Sequence, residues 1–221
     1  MMLSNSITMI VDAAPLLLQG TLMTLQLWVC ATLISLSSGI LLGVLRSAPT
    51  RVPLLSRLLD VITFMFRGIP FYVQLLIAYF VLPELIGINL SAQVAGVITL
   101  GLCSAAYISQ IIRGGINAVP KGQWEAAQVL GYTTPAAIRY VILPQIVRSV
   151  VPACAGELDQ LLKSTSVISA IGVLEITGAA KNIIAREMNP LTMYATIAVV
   201  YLLFSTILTG VSAALERKVT L

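Results

Sequence analysis

The sequence predicts an all-α protein that crosses a membrane five times, and three observations support this prediction. Of the 221 residues, 58% are hydrophobic and only 10% are charged, whereas soluble proteins average about 25% charged residues. The mean hydropathy is +0.97. Long charge-free windows recur along the chain, and about 20 apolar residues suffice for a helix to cross a bilayer. Such a chain cannot hide its apolar surface in one water-soluble core.

The charge-free windows give the order of the spans. The predicted spans are residues 14–45, 58–83, 91–112, 141–165 and 190–215. In the first span, Gly39 and Gly43 have the spacing that lets two helices pack closely. We expect Ser91 to cap the third span. The sequence contains no evident repeat or second domain, so residues 1–221 are expected to form a single membrane domain.

The basic residues predict the orientation. They follow the first span (Arg46, Arg51, Arg57), the third span (Arg113, Lys121, Arg139) and the last span (Arg217, Lys218). The N-terminal tail has no basic residue and lacks the charged start and cleavage site of a signal peptide, so the first span is expected to be retained. The positive-inside rule then puts the N-terminus outside and the C-terminus in the cytoplasm. Only residues 166–188 break the trend, where Lys181 and Arg186 are accompanied by Glu175 and Glu187.

Several classes of function are disfavoured. There is no histidine, and Cys30, Cys103 and Cys154 each lie in an apolar run without metal-ligand spacing. We therefore expect neither a metal site nor a disulfide, and no catalytic residue is assigned. The basic residues form no run with interleaved aromatic residues, which argues against nucleic-acid binding.

The segment 113–140, between the third and fourth spans, has the features of a docking element. Pro120 precedes a predicted helix over residues 121–130, and Gly131 suits the left-handed conformation that ends a helix. Thr134 as N-cap and Pro135 at the first helical position would begin a second helix. The predicted orientation puts this segment in the cytoplasm, where it could couple the membrane part to a soluble partner. An interfacial helix lying on the membrane is the alternative.

Two features of the first predicted helix fit a docking surface. Ala126 and Ala127 would leave its face flat, so that the backbone of a partner could approach closely. Glu125 is expected in the first turn, where a negative charge suits the helix dipole.

The fourth span carries three ionisable residues, which are functional candidates because their desolvation is costly. Asp159 and Lys163 have the i,i+4 spacing of a helical ion pair, and this pair is either structural or functional. Glu157 points about 120–160° away from them on a helix of 100° per residue. It lacks a partner on its own helix, so we expect it to face a wet cavity or another span.

Two further polar stretches lie in spans. Arg67 and Pro70 bound a segment that combines a charge with helix-weakening residues, and Pro70 is expected to kink the second span. This segment is either a cavity wall or a packing kink with Arg67 reaching the interface. In the third span, Tyr107, Ser109 and Gln110 line the path or make bonds between helices.

The docking segment also carries a motif. Glu125-Ala126-Ala127 is followed after three residues by Gly131, and after nine more by Val141-x-Leu143-Pro144. This pattern resembles the EAA loop of ABC-importer permeases, in which isoleucine is usual at the position of Val141. Other motifs resemble the polar amino acid uptake subfamily: Thr24-Leu25, residues 66–70, Ala106-Tyr107, residues 113–116 and 119–127, Leu143-Pro144-Gln145 and residues 162–166. Together they run from about residue 15 to Arg217.

The resemblance implies a type I (MetI-like) ABC importer permease in a bacterial inner membrane, for a polar amino acid. It also implies a second permease, a cytoplasmic ABC ATPase dimer that binds ATP and Mg²⁺, and a substrate-binding protein. The chain has no phosphate-binding Gly-Lys-Ser/Thr loop, so no cofactor is expected on it and it is not expected to be an enzyme. The residues implied in ATPase coupling are Gly122, Glu125, Ala126, Ala127, Gly131, Leu143 and Pro144.

The path residues follow from the intramembrane polar groups and from the Lys-Ser-Thr-Ser motif. The candidates are Arg67, Pro70, Gln110, Glu157, Asp159, Lys163, Ser164, Thr165 and Ser166. The chain departs from the family here, because Gln110 stands where glutamate is common and Asp159 where an apolar residue is usual. These departures put the ligand contacts of any relative in doubt for this chain.

Three alternatives compete. The first is an ABC importer for another small solute. The second is a stand-alone secondary transporter, which would favour inverted repeats. The third is a membrane enzyme, which would want a histidine, a metal cluster or facing carboxylates.

Overall fold

The computed structural model describes the backbone of residues 2–220 and the side chains of residues 7–215 and Arg217. The side chain of Lys218, one of the predicted orientation signals, lies outside the described residues. Within that part of the chain, all regular structure is helical. The helices are α1 (Met2–Leu45), α2 (Pro53–Gly68), α3 (Phe71–Leu76), α4 (Leu82–Ile86), α5 (Ala92–Ala118), α6 (Lys121–Val129), α7 (Thr134–Ala137), α8 (Leu143–Ser164), α9 (Ile176–Glu187) and α10 (Pro190–Thr220).

Short helical segments of other types complete the structure. Ile77–Val81 and Ile138–Ile142 are π-helical, and Ala48–Thr50 and Thr165–Ile171 are 3₁₀-helical. The π-helical segment Ile77–Val81 connects α3 to α4 without a loop, and Ile138–Ile142 connects α7 to α8 in the same way.

The apolar helices agree with the predicted five-span architecture. The helices long and apolar enough to cross a membrane are Ile7–Leu45, Ala92–Ala118, Thr134–Ile171 and Pro190–Leu215. The bent pair Pro53–Gly68 and Phe71–Ile86 gives a fifth span when it is counted as one.

The second span is broken rather than kinked. Helix α2 ends at Gly68, and Ile69 is extended (φ −94°, ψ 132°) before α3 begins at Phe71. The ring of Pro70 disfavours the helical region for the residue before it. The predicted kink is therefore a complete interruption of the helix.

The chain divides into two compact units, each with its own apolar core. The first consists of residues 1–31, 71–100 and 159–207. Its larger cluster is built around Leu27, Leu75, Leu161 and Ile168. A second cluster contains Ala13, Leu17, Ile176, Ile183 and Met193.

The second unit consists of residues 32–70, 101–158 and 208–221. Its core joins two rows of β-branched residues, each with a period of four: Ile108, Ile112 and Ile116 on α5, and Ile142, Ile146 and Val150. This period puts each row on one face of its helix. Gly39 and Gly43 of α1 pack against Ile108 and Ile112, which confirms the close packing predicted from their spacing.

Candidate functional site: the coupling loop and the intramembrane polar groups

Helix α6 ends as the sequence predicts. Gly131 is left-handed (φ +80°) and lies directly after the C-cap Leu130. Its N–H donates to Gln128 O at 2.9 Å, and the N–H of Tyr132 donates to Ala127 O at 3.0 Å. These two bonds form a Schellman motif, which satisfies the last carbonyls of the helix. A Cβ at position 131 would meet no neighbour, so only backbone conformation favours glycine there.

Helix α7 begins one residue earlier than it would with the predicted N-cap at Thr134. The N-cap is Thr133, which is extended (φ −68°, ψ 157°), and its carbonyl accepts from Ala137 N at 2.8 Å. Thr134 is thus the first helical residue and Pro135 the second. The prediction of Thr134 as cap was wrong by one position because Pro135 is tolerated equally at the second position, whose N–H has no partner within the helix.

Two predicted details of the α6 surface are also wrong. Glu125 is the fifth residue of α6, and the first turn contains no acid, so this carboxylate does not sit on the first-turn amides. Ala127 is only 1% exposed, because its face of the helix points into the second unit. Ala126 and Gly122 are exposed, so the accessible face carries one alanine rather than two.

The exposed end of α6 is apolar. Val129 is 88% exposed and Leu130 is 75% exposed, although both precede a helix-ending glycine on a largely polar segment. Large apolar side chains at such exposure mark an interaction surface when they lie together. This pair was not predicted as a surface, although two adjacent apolar residues directly before a helix-ending glycine are a signal present in the sequence.

The other two coupling candidates lie at the start of α8. Leu143 is the first residue of this helix, and Pro144 follows it. Both are exposed. Gln145, the next residue, donates to Gln123 Oε1 of α6 at 3.2 Å, so the start of α8 is bonded to the first turn of α6.

Three charged residues, on or next to α1, α2 and α5, form a network that was not predicted from the sequence. Asp60 of α2 forms ion pairs with Arg46, directly after α1, and with Arg113 of α5, each with an N···O distance of 2.7 Å. Arg46 also donates to Ser109 Oγ of α5 at 2.6 Å. Both arginines were predicted as orientation signals, and Arg113 also as part of a family motif, but neither was predicted to pair with Asp60. Asp60 itself lies in a predicted span, and this alone made it a candidate.

Glu157 has a partner on another helix. The Ser104 hydroxyl of α5 bonds to the Glu157 carboxylate and accepts from Ser35 of α1 at 2.8 Å. This agrees with the expectation that Glu157 faces another span. The chain of two hydroxyls gives a buried polar route from α1 through α5 to this carboxylate.

Asp159 and Lys163 form the predicted ion pair. Lys163 Nζ lies 2.6 Å from Asp159 Oδ2. The other carboxylate oxygen accepts from the hydroxyl of Ser205 on α10 at 2.6 Å. Both Asp159 oxygens therefore have partners, and the Ser205 contact was not predicted.

The remaining path candidates are placed in different surroundings. Arg67 is half-buried, and its carbonyl accepts from Tyr107 OH at 3.3 Å, whereas Gln110 and Pro70 are exposed. The hydroxyls of Ser164, Thr165 and Ser166 each donate to a carbonyl three or four residues earlier. Of these three, Thr165 is fully buried.

Glu175 is a fully buried carboxylate that the sequence analysis counted as a loop charge. It is the N-cap of α9 and accepts from Thr177 N at 2.9 Å and Gly178 N at 2.8 Å. Tyr201 OH of α10 lies 3.2 Å from its second oxygen. Burial raises the pKa of this carboxyl, and the hydrogen bonds offset part of the rise. Glutamate is not among the preferred caps, so this role could not be predicted from the local residue pattern.

Metal ligands are not clustered. In the described part of the chain, no group of three or more histidine, cysteine, aspartate or glutamate side chains could hold a metal ion.

Known proteins resemble this chain over most of its length. Residues 38–221 match the family described as binding-protein-dependent transport system inner membrane component. The arginine transport system permease protein ArtQ of Bacillus subtilis (strain 168) is 37% identical over 204 residues, which cover 92% of each chain. The glutamate/aspartate import permease protein GltJ of Escherichia coli (strain K12) is 32% identical, over 91% of this chain and 86% of its own.

Solved structures share the fold. The structure described as an amino acid ABC transporter with histidines has a TM-score of 0.86 and 33% identity, and the match covers 95% of this chain and 96% of that chain. The MetNI methionine ABC transporter in an inward-facing form has a TM-score of 0.77 at 22% identity, over 92% and 96% of the two chains. The chain therefore belongs to the family of inner-membrane permease components of binding-protein-dependent transport systems.

Proposed function

We propose that this chain is the permease subunit of an ABC importer for a polar amino acid. The observation that carries this proposal is its likeness, over about nine-tenths of its length, to permeases named for arginine, glutamine and glutamate/aspartate transport. The shared chemistry of these substrates is the α-amino and α-carboxylate pair. Uptake measurements with individual amino acids identify which substrate side chain the importer accepts.

The importer needs partners for the steps that this chain does not perform. Its sequence has no phosphate-binding loop, so ATP and Mg²⁺ are bound and ATP is hydrolysed by an ABC ATPase dimer. A second permease, identical or similar, completes the pathway. A binding protein delivers the amino acid from outside.

The orientation follows from the distribution of basic residues. The N-terminus lies outside and the C-terminus in the cytoplasm, which puts segment 113–140 on the side of the ATPase. Arg113, Lys121 and Arg139 lie in this segment, and Arg46, Arg51 and Arg57 in the other predicted cytoplasmic connection.

Helix α6 is the element that docks on the ATPase. Its exposed side chains include Glu125, Ala126 and Val129, and Leu130 follows directly. Gly122 and Gly131 permit close approach and a sharp end, while Leu143 and Pro144 begin the helix bonded to α6. Closure of the ATPase dimer on binding ATP would move α6 of this permease and the corresponding helix of the second permease toward each other. Transport is then a shift between two states of the permease pair, driven by nucleotide and by the loaded binding protein.

The substrate path is lined by intramembrane polar residues. Glu157 with its serine partners is the strongest candidate, since a carboxylate held by another span can meet an amino group. The other proposed path residues are Arg67, Pro70, Gln110, Asp159, Lys163, Ser164, Thr165 and Ser166.

The test is co-purification of the tagged full-length chain with its partners. A C-terminal tag, mild detergent and mass spectrometry should recover an ABC ATPase at a fixed ratio to the permease. In the variant Gly131→Asp, we expect the permease to remain inserted but to lose the ATPase and amino acid uptake.

The chain offers a matched control in Gly87. This glycine is also left-handed (φ +69°), also ends a helix and also has no close neighbour. Gly87→Asp introduces the same negative charge at a left-handed position outside segment 113–140, so it should keep the ATPase. A well-folded permease that is repeatedly recovered alone, or normal uptake by Gly131→Asp, would instead favour a stand-alone transporter.

A further inference from the structure

The network around Asp60 joins three helices at a single oxygen atom. Asp60 Oδ1 accepts hydrogen bonds from Arg46 Nε (2.9 Å) and Arg113 Nη1 (2.7 Å), and Arg46 Nη2 lies 2.7 Å from the same oxygen as an ion-pair partner. The remaining Arg46 nitrogen, Nη1, donates to Ser109 of α5. The ends of α1 and α5 are therefore linked both directly and through α2.

The burial of Arg46 makes these contacts specific. Its side chain is only 2% exposed, and arginine is almost never fully buried without partners. Its planar guanidinium directs donors toward fixed positions on Asp60 and Ser109, which constrains direction as well as distance. Two arginines on one carboxylate leave the group with one net positive charge.

The same region has a second tie. The backbone N–H of Ala48, in the turn after α1, donates to Asn117 Oδ1 near the end of α5 at 2.9 Å. Helix α5 ends at Ala118 and α6 begins at Lys121, so only Val119 and Pro120 separate them. Because the connection is this short and contains a proline whose φ is fixed, we expect a displacement of α6 to move the end of α5 as well.

The packing of α1, α5 and α8 does not depend on the charges. The apolar rows on α5 and at the start of α8, and the glycine contacts of α1 with α5, already join these three helices. Buried ion pairs contribute little net stability compared with apolar packing. What the network adds is a fixed position of the end of α1 relative to the middle of α2 and the C-terminal half of α5.

We propose that Arg46, Asp60 and Arg113 form a clamp that transmits movement of α6 to α1 and α2, with Asp60 and Arg113 as positioning residues for coupling. This inference rests on the proposed function, in which α6 docks on an ATPase. The clamp makes α1 and α2 follow α5 when α6 is displaced. Without it, ATP hydrolysis continues but moves the spans less effectively.

The test uses the complete importer, reconstituted in liposomes with its ATPase and binding protein. Arg113→Gln removes one arm of the clamp and leaves the Arg46–Asp60 pair in place. Uptake of radiolabelled arginine, glutamine or glutamate, whichever the wild type imports, is measured together with ATP hydrolysis. We expect the ATP consumed per amino acid imported to rise at least five-fold. Arg113→Lys, which keeps a donor for Asp60, should recover part of the coupling.

Arg57→Gln is the matched control, because Arg57 is an exposed arginine on the same helix as Asp60 and should leave the ratio at the wild-type value. Should Arg113→Gln fail to fold, Ser109→Ala removes only the direct bond between α1 and α5 and should shift the ratio in the same direction. An unchanged ratio in Arg113→Gln overturns the clamp. The clamp is also overturned if uptake by Arg113→Gln falls only in proportion to the amount of assembled importer, because Arg113 then has a structural role.

Failure of the proposed function is distinguishable from failure of the clamp. It is visible in the wild type, as the absence of ATP-dependent uptake of all three amino acids, and it would overturn the clamp as well. Failure of the clamp alone is visible only in the comparison between Arg113→Gln, Arg113→Lys and Arg57→Gln.

Discussion

Gly43 of α1 and Ile112 of α5 pack without room for a side chain between them. A Cβ on Gly43 would lie 2.6 Å from the Cβ of Ile112 and 2.9 Å from the carbonyl oxygen of Ser109. Both neighbours belong to a buried helix whose backbone is fixed by its own hydrogen bonds. The contact lies one turn from Arg46, so it also sets the distance across which the clamp is built.

We therefore expect Gly43→Ala to destabilise the permease by about 1–3 kcal/mol, the usual cost of adding a carbon to a filled helix interface. Thermal unfolding of the purified permease in detergent measures the effect. Gly114→Ala is the control, because a Cβ at Gly114 meets nothing within 4 Å. That substitution should be neutral or stabilising by up to about 1 kcal/mol, since alanine favours the helix. Equal melting temperatures for Gly43→Ala and the wild type would contradict the packing argument.

Most of the features that were predicted correctly are fixed locally, apart from the close packing of Gly39 and Gly43 and the contact of Glu157 with another span. Gly131 ends α6, Ser91 caps α5 through a bond to Val94 N, and Asp159 pairs with Lys163 one turn away. Each depends on residues a few positions apart, where helical geometry alone decides which side chains meet. The family motifs added the fold and the loop, because their order and spacing extend over nearly the whole chain.

The features that the sequence did not predict depend on contacts between distant segments. Asp60 meets arginines 14 and 53 residues away, and a charge pattern read as a membrane orientation signal conceals such pairing. Glu175 stands in a polar segment between spans, yet Tyr201 of α10 covers it. Ala127 turns inward because of what α6 packs against, which neither helical period nor composition specifies.

Glu175→Ala should destabilise the permease by about 2 kcal/mol. The substitution removes the acceptor for the N–H groups of Thr177 and Gly178 and for Tyr201 OH, and leaves these buried donors unsatisfied. Thermal unfolding tests this. Glu187→Ala, at the exposed end of the same helix, should stay within about 0.5 kcal/mol of the wild type. Similar losses for the two variants would mean that the cap is not what stabilises α9.

The same carboxyl predicts a pH dependence of stability. Burial holds the pKa of Glu175 above its usual value in the folded state, so the folded protein binds the proton more tightly than the unfolded chain does. This contribution is fully present below the unfolded pKa of about 4.3 and is lost as pH rises through the folded pKa. The wild type should therefore gain stability relative to Glu175→Gln as pH falls. Melting temperatures of both proteins between pH 8 and pH 5 measure this difference, and a constant difference would refute the prediction.

Substitutions at Gly131 should separate backbone conformation from docking. Asparagine tolerates the left-handed conformation, whereas a β-branched residue does not. In a pull-down, Gly131→Asn should retain most of the bound ATPase. Gly131→Val should retain at least ten-fold less ATPase than Gly131→Asn does. A Cβ there meets no atom of this chain within 4 Å, so the expected difference comes from the left-handed backbone conformation. If both variants bind ATPase equally well, the left-handed end of α6 is irrelevant to docking.

Replacing Asp159 and Lys163 singly and together should show whether their pair is structural or functional. Lys163→Met leaves an aspartate in a membrane span with only the Ser205 hydroxyl as partner, and an unpaired charge there costs about 2.5–3.5 kcal/mol on insertion scales. The double variant Asp159→Leu/Lys163→Met removes both charges, so it should be more stable than either single variant. Thermal unfolding gives the coupling energy, and amino acid uptake by the double variant gives the role. We expect the double variant to fold but to lose uptake at least ten-fold, because Lys163 is exposed and can meet a substrate carboxylate when its partner releases it. Wild-type uptake by the stable double variant would instead identify the pair as a structural link between α8 and α10.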